Sequence, residues 1–325
     1  MHYRYGLLRE FFAQMPPVQY RTAKKNGRSA ICVWWDILFH RFWYGASPDD
    51  YEQYALYRLD SKAKQEFIMH SQRDKVRDLF NDPSCRAVFV HKEQFNSFFM
   101  EFVGREWLYA PAVGADEIMD FLDRHRKIIV KPSDGLKGQG VSKLSREEIR
   151  EPGAFCEAMR KGSMLLEEVI EQHAVLAAVN PNSVNTLRIH TVLDRQGKVH
   201  IINAVLRCAS GESVVDNRSA GGIACGVDLH TGKLNTDGIN AECDMILRHP
   251  VSGVTFSELQ MPMWPETLAF VERAALAAPC QARLIGWDVA VASSGPLMVE
   301  GNIWPHFRTI QFGGNGVRRL LERYV

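Results

Sequence analysis

The sequence lacks the cysteine patterns that mark a disulfide framework or a zinc site. Its seven cysteines are scattered, odd in number, and form no C-x-x-C pair. This usage is typical of reduced thiols. The first residues also show neither the continuous apolar core nor the small-residue cleavage site of a signal peptide. We therefore expect a cytoplasmic protein.

Long apolar runs and an excess of one charge are also missing. The most apolar stretch, "AICVWWDILFHRFWYG", is interrupted by Asp36, His40 and Arg41, so no segment reaches the roughly 20 residues that a bilayer requires. Lys and Arg number 39 against 38 Asp and Glu, which gives a net charge of +1. We expect no transmembrane segment and no nucleic-acid partner, while proximity to a membrane surface stays open.

Several catalytic and nucleotide-binding motifs are absent. There is no H-E-x-x-H pair and no G-x-S-x-G elbow. The glycine-rich stretch "SDGLKGQGVSKL" is not a P-loop, because Gly140 is followed by Val141 and Ser142, and Lys143 stands where a dinucleotide fingerprint needs its third glycine. What remains is a glycine-rich hairpin whose backbone N–H groups would close over an anion, with an ordinary turn as the alternative.

The remaining features indicate an α+β protein of more than one lobe. The chain has 325 residues with 46% hydrophobic content, enough for a substantial core. Its first part shows apolar residues at helical spacing. Short β-branched runs follow, such as "KIIVKP", "TLRIHTVL" and "LIGWDVAVA", interrupted by one helix-like stretch.

The segment "GWDVAVASSGPLMVEGN", residues 286–302, predicts a β-hairpin that carries acidic residues. A three-residue loop at 293–295 would place Asp288 opposite Glu300, with Asn302 on the same face. Opposed carboxylates have Cβ atoms about 5 Å apart and repel each other unless a cation lies between them. All three are oxygen donors that suit Mg²⁺, with Mn²⁺ as a second choice. The alternative is a solvated acidic pair.

An oxygen-ligand metal site, a glycine-rich loop and Lys131 on the strand before it together indicate a nucleoside triphosphate site. The order "KIIVKPSDGLKGQGV", "MLLEEVIEQH", "NTLRIHTV", "GWDVAVASSGPLMVEGN" resembles the ATP-grasp superfamily, and more closely its sugar-transfer and exopolysaccharide-associated branch, over about residues 85–315. The resemblance implies an α+β ATP-grasp domain at 85–325, with lobes at 85–170 and 171–325 that enclose ATP. A helical region at 1–84 would precede it.

The resemblance also implies a role for each matching position. Lys131 would contact the α-phosphate and the adenine side, and the loop 135–140 would cover the β- and γ-phosphates. The strand end 167–170 would hold adenine, and Glu171 or His173 would reach the ribose, although a solvated strand end is an equal alternative for these two. The implied cofactor-binding residues are Lys92, Lys131, Gly135, Lys137, Gly138, Gly140, Glu167, Glu168, Val169, Ile170, Glu171 and His173, and the implied metal ligands are Asp288, Glu300 and Asn302.

Three arginines are candidate catalytic residues. Alternation places Arg188 on one face of its strand and Arg207 lies on the next strand, where guanidinium groups would stabilise charge on a transferred phosphoryl group. Arg308 is a candidate for acceptor binding. Surface or ion-paired roles are the alternatives.

The resemblance implies an Mg-ATP-dependent ligase that forms an acyl phosphate on a polysaccharide precursor or related metabolite. Its substrate would be a small molecule or a saccharide. A phosphotransferase acting on a hydroxyl and a non-catalytic nucleotide-binding protein are the alternatives. The aromatic segment "VWWDILFHRFWYG" is expected to pack into the core, with binding of sugar or a membrane interface as the other interpretation.

Overall fold

The computed structural model describes residues 2–135, 139–211, 221–279 and 281–325. These fall into two compact units, one comprising Met1–Phe80 together with Pro305–Val325 and the other comprising Asn81–Trp304. The domain boundary that the sequence analysis places between residues 84 and 85 stays a prediction. All six cysteines within the described residues are free thiols.

The helices are mostly short and are concentrated before residue 126. In chain order they are α1 (His2–Asn26), α2 (Ala30–Tyr44), α3 (Pro48–Gln53), α4 (Ser61–Gln65), α5 (Arg73–Phe80), α6 (Arg86–Val90), α7 (Lys92–Phe98), α8 (Met100–Val103), α9 (Ala115–His125), α10 (Pro152–Lys161), α11 (Ala174–Val179), α12 (Trp264–Ala277), α13 (Phe307–Ile310) and α14 (Arg318–Glu322). Within the described part of the chain, no helix is both long and apolar enough to cross a bilayer.

The described strands form two antiparallel sheets. They are β1 (Trp107–Tyr109), β2 (Lys127–Pro132), β3 (Ser142–Ser145), β4 (Met164–Glu168), β5 (Thr186–Leu193), β6 (Val199–Cys208), β7 (Ile223–Val227), β8 (Gly238–Ile239), β9 (Met245–Ile246), β10 (Leu284–Ala292) and β11 (Gly295–Asn302). The smaller sheet has the order β1-β4-β2-β3, and the larger has the order β11-β10-β5-β6-β7-β8-β9. Both lie in the second unit, as the α+β prediction requires.

Helices α9 and α10 cover one face of the smaller sheet. Glu117 accepts a hydrogen bond from the N–H of Gly114 at 2.9 Å and so caps the start of α9. The apolar side of α9, with Phe121 and Leu122, packs on Ile128 and Val130 of β2. The alternate residues of β2 consequently face away from these helices.

Strand β10 is a fully buried strand of the larger sheet. It pairs with β11 on one side and β5 on the other, and every one of its residues is buried. Trp287 and Val289 belong to the main hydrophobic core, which includes Phe270 and Val271 of α12. Because side chains alternate along a strand, Asp288 points to the opposite face.

The first unit has a hydrophobic core of its own. Met15 of α1, Ile37 of α2 and Tyr51 of α3 are fully buried there. The end of the chain is part of this unit, because the side chain of Gln311 accepts a hydrogen bond from the N–H of Ile68 at 2.7 Å. Chain segments far apart in sequence therefore meet in one compact unit.

Candidate functional site

The hairpin of β10 and β11 brings the three predicted metal ligands together. Asp288 lies directly opposite Glu300, and Asn302 follows two residues later on the same side of β11. The Nδ2 atom of Asn302 donates a hydrogen bond to Oε1 of Glu300 at 3.1 Å. The two carboxylates and the amide thus form one cluster.

The turn of this hairpin is shorter than the sequence predicts. Ala292 pairs with Gly295, which leaves two residues in the turn instead of three. Asp288 and Glu300 still face each other, because a β-bulge beside Asp288 accommodates the additional residue Val299 and shifts the register by one. The expected pairing is confirmed, but the expected turn was wrong.

Two arginines neutralise Asp288. Arg188 lies opposite it on β5 and forms a bidentate pair, with Nη2 donating to Oδ2 at 2.8 Å. Nη2 of Arg207 is 2.8 Å from the same oxygen and also donates to the hydroxyl of Thr186 at 2.8 Å. Burial of this carboxyl works to raise its pKa, but the two guanidinium groups hold the pKa of Asp288 well below its ordinary value. Asp288 is therefore a buried anion with two built-in counter-charges.

Glu300 is the more accessible carboxylate of the pair. Its side chain is 43% exposed, and Nη2 of Arg188 is 3.8 Å from its Oε1. Desolvation in the cleft and the like charge of Asp288 both raise the pKa of Glu300. We attribute the raised pKa mainly to the negative charge of Asp288, because much of the Glu300 side chain remains accessible to water. The ionised form of Glu300 lacks the close counter-charge that Asp288 has.

The donor set fits a hard divalent cation. Carboxylate and amide oxygens are ligands that Mg²⁺ accepts, and it typically takes one or two protein carboxylates while water and phosphate oxygens complete its shell. Within the described ranges no three His, Cys, Asp or Glu side chains converge as a preformed metal cage. A cation at Glu300 would also relieve its repulsion from Asp288.

The predicted nucleotide-binding lysine lies in a buried cluster of charges. Nζ of Lys131 is 2.7 Å from Oε2 of Glu167, and Nη2 of Arg105 is 2.9 Å from Oε1. Nδ2 of Asn96 donates to the same Oε1 at 2.9 Å. Burial works to raise the pKa of Glu167, but Arg105 and Lys131 lower it to about 2. Burial also lowers the pKa of Lys131.

Arg105 and Asn96 were missed by the sequence reasoning. Both oxygens of Glu167 accept hydrogen bonds from protein donors. Its expected contact with the adenine amino group stays a prediction. The available signal was a single arginine inside the apolar run "FVGREWLY", directly after Gly104. A charged residue between buried elements calls for a buried partner, but the sequence does not say which one.

Lys92 holds the base of the glycine-rich loop. Its Nζ donates to the carbonyl oxygens of Pro132, Ser133 and Gly135 at 2.9, 3.2 and 2.6 Å. At the other end of the loop, Gly140 has φ +72°, and a Cβ there would lie 2.9 Å from Cγ of Pro132, so a side chain is excluded. Lys92 therefore fixes one end of the loop, and the other end passes close to Pro132.

Two predicted loop residues, Lys137 and Gly138, lie outside the described residues. Their roles over the phosphates stay predictions.

The stretch 168–171 leads from the smaller sheet to the larger one. Strand β4 ends at Glu168, and Gln172 already forms a β-bridge with Ala292. His173 caps the start of α11, since its Nδ1 accepts a hydrogen bond from the N–H of Val175 at 3.2 Å. That nitrogen is thus used as a helix cap, whereas Glu171 is exposed.

A cavity of about 690 Å³ collects most of the predicted residues. Its lining includes Lys92, Lys131, Gly135, Glu167, Glu168, Val169, Ile170, Glu171, Arg207, Asp288 and Glu300. Arg188 and Asn302 border it through their contacts with lining carboxylates. The volume is within the usual range for a small-molecule site.

Arg308 is not part of this group. It belongs to the first unit, where its Nη1 is 2.5 Å from Oδ2 of Asp49, whereas the lining residues of the cavity all belong to the second unit. Its role in acceptor binding stays a prediction.

Solved structures to which the chain is similar include the ATP-grasp ligase PsnB complexed with minimal precursor and D-alanyl-alanine synthetase A from Vibrio cholerae. The chain is 14% identical to the first (TM-score 0.47) and 13% identical to the second (TM-score 0.45). In both cases the match covers 75% of this chain and 63% of the other, so the chain spans less than two-thirds of their length. No curated protein is significantly similar in sequence.

The family comparison is more direct. Residues 108–324, more than half of the chain, match the family described as sugar-transfer associated ATP-grasp. This range contains the glycine-rich loop, the cavity-lining strands and the carboxylate hairpin, and it confirms the resemblance seen in the sequence. The chain therefore belongs to the sugar-transfer associated ATP-grasp family and has the ATP-grasp fold.

Proposed function

We propose that this protein is an Mg-ATP-dependent ligase that activates a substrate carboxylate as an acyl phosphate and transfers the acyl group to an amine or related nucleophile. The observation that carries this proposal is one cavity whose lining includes Lys92, Lys131 and Arg207 together with the opposed carboxylates Asp288 and Glu300. This combination suits a reaction in which the protein supplies positioning and charge rather than a nucleophile.

The cationic residues would bind and orient the nucleotide. Lys131 is held by Glu167 at a fixed position in the cavity wall, where an ammonium group would meet phosphate oxygens. Lys92 keeps the base of the glycine-rich loop in place, so that backbone N–H groups of the loop would cover the phosphates. Because these charges are already in position, little reorganisation is needed during the reaction.

Asp288, Glu300 and Asn302 would hold Mg²⁺, which when bound supplies positive charge to the phosphate oxygens. Arg207 lines the cavity beside Asp288 and would neutralise charge that develops on the transferred group. Arg188 would keep Asp288 ionised and correctly oriented. Thr186 would fix the guanidinium group of Arg207.

In the proposed reaction a carboxylate oxygen of the substrate attacks the γ-phosphorus, and the bond from that phosphorus to the bridging oxygen breaks to release ADP. An amine nitrogen then attacks the acyl carbon and phosphate leaves as the amine loses its proton. We propose a polysaccharide precursor or a related small metabolite as the substrate class, on the strength of the family description.

The first experiment identifies the reaction without assuming a substrate. Purified protein is incubated with Mg-ATP and extract of the native cells, and products are compared by mass spectrometry with those of the Glu300→Gln variant. A species equal to two metabolites joined with loss of water, formed in step with ADP, supports the ligase. Hydroxylamine added to the mixture should trap the acyl phosphate as a hydroxamate.

The Glu300→Gln variant separates metal binding from folding. Gln is nearly isosteric with Glu but removes the negative charge, so we expect turnover to be lost while the fold is retained. A metabolite that gains one phosphate, with no hydroxamate formed, would instead identify a kinase. Unchanged turnover in the variant would show that Glu300 is not a metal ligand.

A further inference from the structure

Helix α2 presents an uncovered apolar face. Its inner face, with Val33 and Ile37, is buried in the core of the first unit. The opposite face consists of large apolar side chains that are each 50% to 78% exposed, namely Ile31, Trp35, Phe39, Phe42 and Trp43. We call these five residues the α2 face. Ile31, Trp35, Phe39 and Trp43 follow one another at intervals of four residues, and Phe42 lies three residues after Phe39. All five are therefore on one side of the helix.

The α2 face carries no charged side chain, because the ionised residues of α2 are engaged elsewhere. Oδ2 of Asp36 accepts hydrogen bonds from the hydroxyl of Tyr51 at 2.7 Å and from Nη1 of Arg28 at 3.0 Å. The guanidinium group of Arg41 lies over the ring of Phe11, with its central carbon 5.4 Å from the ring centre. The exposed stripe is therefore apolar along its whole length.

The size of the α2 face is unusual for a surface that stays in water. Its five side chains expose roughly 700 Å², taking side-chain areas on the order of 200 Å², whereas the largest apolar patch of a typical monomer is about 300 to 600 Å². Two tryptophans and two phenylalanines supply most of this area. Such an area indicates a surface that is covered in use.

The charge of the chain segment that carries the α2 face indicates what covers it. Residues 1–44 contain seven basic residues, Arg4, Arg9, Arg21, Lys24, Lys25, Arg28 and Arg41, against the two acidic residues Glu10 and Asp36. This net charge of +5 stands in a chain whose total is only +1. Lys24 is exposed at the end of α1, shortly before α2 begins, whereas Arg21 and Lys25 pair with Glu52 of α3. The apolar stripe thus belongs to a strongly basic segment.

We propose that the α2 face docks the protein on an anionic membrane surface. The helix would lie in the plane of the interface with its tryptophan and phenylalanine rings among the headgroups, where aromatic side chains are favoured. Nearby lysines and arginines would contact anionic lipids. A second copy fits less well, since a two-fold interface would place two segments of net charge +5 against each other.

Binding is tested by sedimentation of the full-length protein with vesicles of phosphatidylcholine, with and without added phosphatidylglycerol. We expect binding to the anionic vesicles, weaker binding to the neutral ones, and loss of binding as salt is raised. Replacing Phe42 and Trp43 together by Ser should weaken binding by about ten-fold or more. Both side chains are exposed, so this variant should fold normally.

The control replaces two equally exposed apolar residues of the second unit, Met245 and Leu247, by Ser. This pair should bind vesicles as the wild type does. Lipids brominated in their acyl chains locate the contact, because they should quench the fluorescence of the wild type. Quenching should fall in a Trp35→Phe, Trp43→Phe variant that still binds.

Three outcomes would overturn the proposal. One is a wild type that does not bind anionic vesicles. A second is equal loss of binding in the Ser variants of the two units. The third is a dimer, seen by light scattering without lipid, that the Phe42 and Trp43 substitutions dissociate, because the α2 face would then be an interface between copies.

Discussion

Replacing Arg105 by Met tests the buried charge cluster that holds Lys131 in the cavity wall. The guanidinium group of Arg105 donates to Glu167 at 2.9 Å and to the carbonyl oxygen of Met298 at 2.7 Å. Its side chain is 2% exposed and that of Glu167 is 5% exposed. The substitution therefore leaves a buried carboxylate with one cation instead of two, and removes a donor from a buried carbonyl.

The expected cost follows from these contacts. Lys131 stays 2.7 Å from Glu167 as its counter-charge, so the substitution leaves no uncompensated carboxylate and removes a charged hydrogen bond, which contributes about 1.5 to 3 kcal/mol. An unsatisfied buried carbonyl adds roughly 1 to 3 kcal/mol. The apolar packing of Met offsets part of this, so we expect a net loss of about 3 kcal/mol. For a domain of this size that corresponds to a fall in Tm of roughly 6 to 12 °C.

The measurement is urea unfolding of wild type, Arg105→Met and a matched control, Arg124→Met. Arg124 also pairs with a glutamate, Glu106, but both side chains are about half exposed, so its loss should have no measurable effect. A loss below about 1 kcal/mol for Arg105→Met would refute the argument that burial makes this pair essential. In a double-mutant cycle, Glu167→Gln should cost less in the Arg105→Met background than alone, because fewer buried cations then lack a counter-charge.

Three further predictions concern the same unit. Lys92→Met removes the donor that holds the loop at Gly135, so ATP affinity measured by calorimetry should fall by about ten-fold, which corresponds to about 1.4 kcal/mol; unchanged affinity would show that the loop is held without it. Burial and Arg188 lower the pKa of His190 to about 3 from 6.5, so the folded state resists protonation and stability falls as pH drops below 6.5. The wild type should lose about 2 kcal/mol more than His190→Asn between pH 7 and pH 5, and parallel losses in urea unfolding would count against this. Without metal, Glu300→Gln should raise Tm, since its raised pKa means that ionised Glu300 is unfavourable in the folded state at neutral pH; an unchanged or lower Tm would contradict the repulsion from the opposed acid.

The predictable part of the site is the part encoded by neighbours in the chain. The strand pattern of residues 286–302 indicates a hairpin, and a period of two brings Asp288 and Glu300 to one face when the turn has three residues. The observed two-residue turn would by itself shift this register by one, and the β-bulge at Val299, which the pattern does not predict, restores the pairing. The glycine-rich loop was recognisable for the same reason, since its flanking strands pair with each other.

The contacts that set the charge balance of the site join residues that are far apart in the sequence. Arg188 and Asp288 are 100 positions apart in the chain, and Arg105 and Glu167 are 62 apart. They meet because β5 lies beside β10 and because β1 pairs with β4. Local patterns carry no information on such sheet order, so the sequence indicated charged residues but not their partners.

The amino-acid sequence by itself determined the α+β character, the family, the carboxylate hairpin and the glycine-rich loop, because each depends on the residues of one continuous segment. Tertiary structure alone decided three other properties. It gave Asp288 two arginine counter-charges while Glu300 stayed more accessible, it used Lys92 to anchor the loop, and it buried one apolar face of α2 while leaving the other exposed. A helix that is apolar on both sides has no periodic signal to say which side is covered, and only packing against the rest of its unit makes that choice.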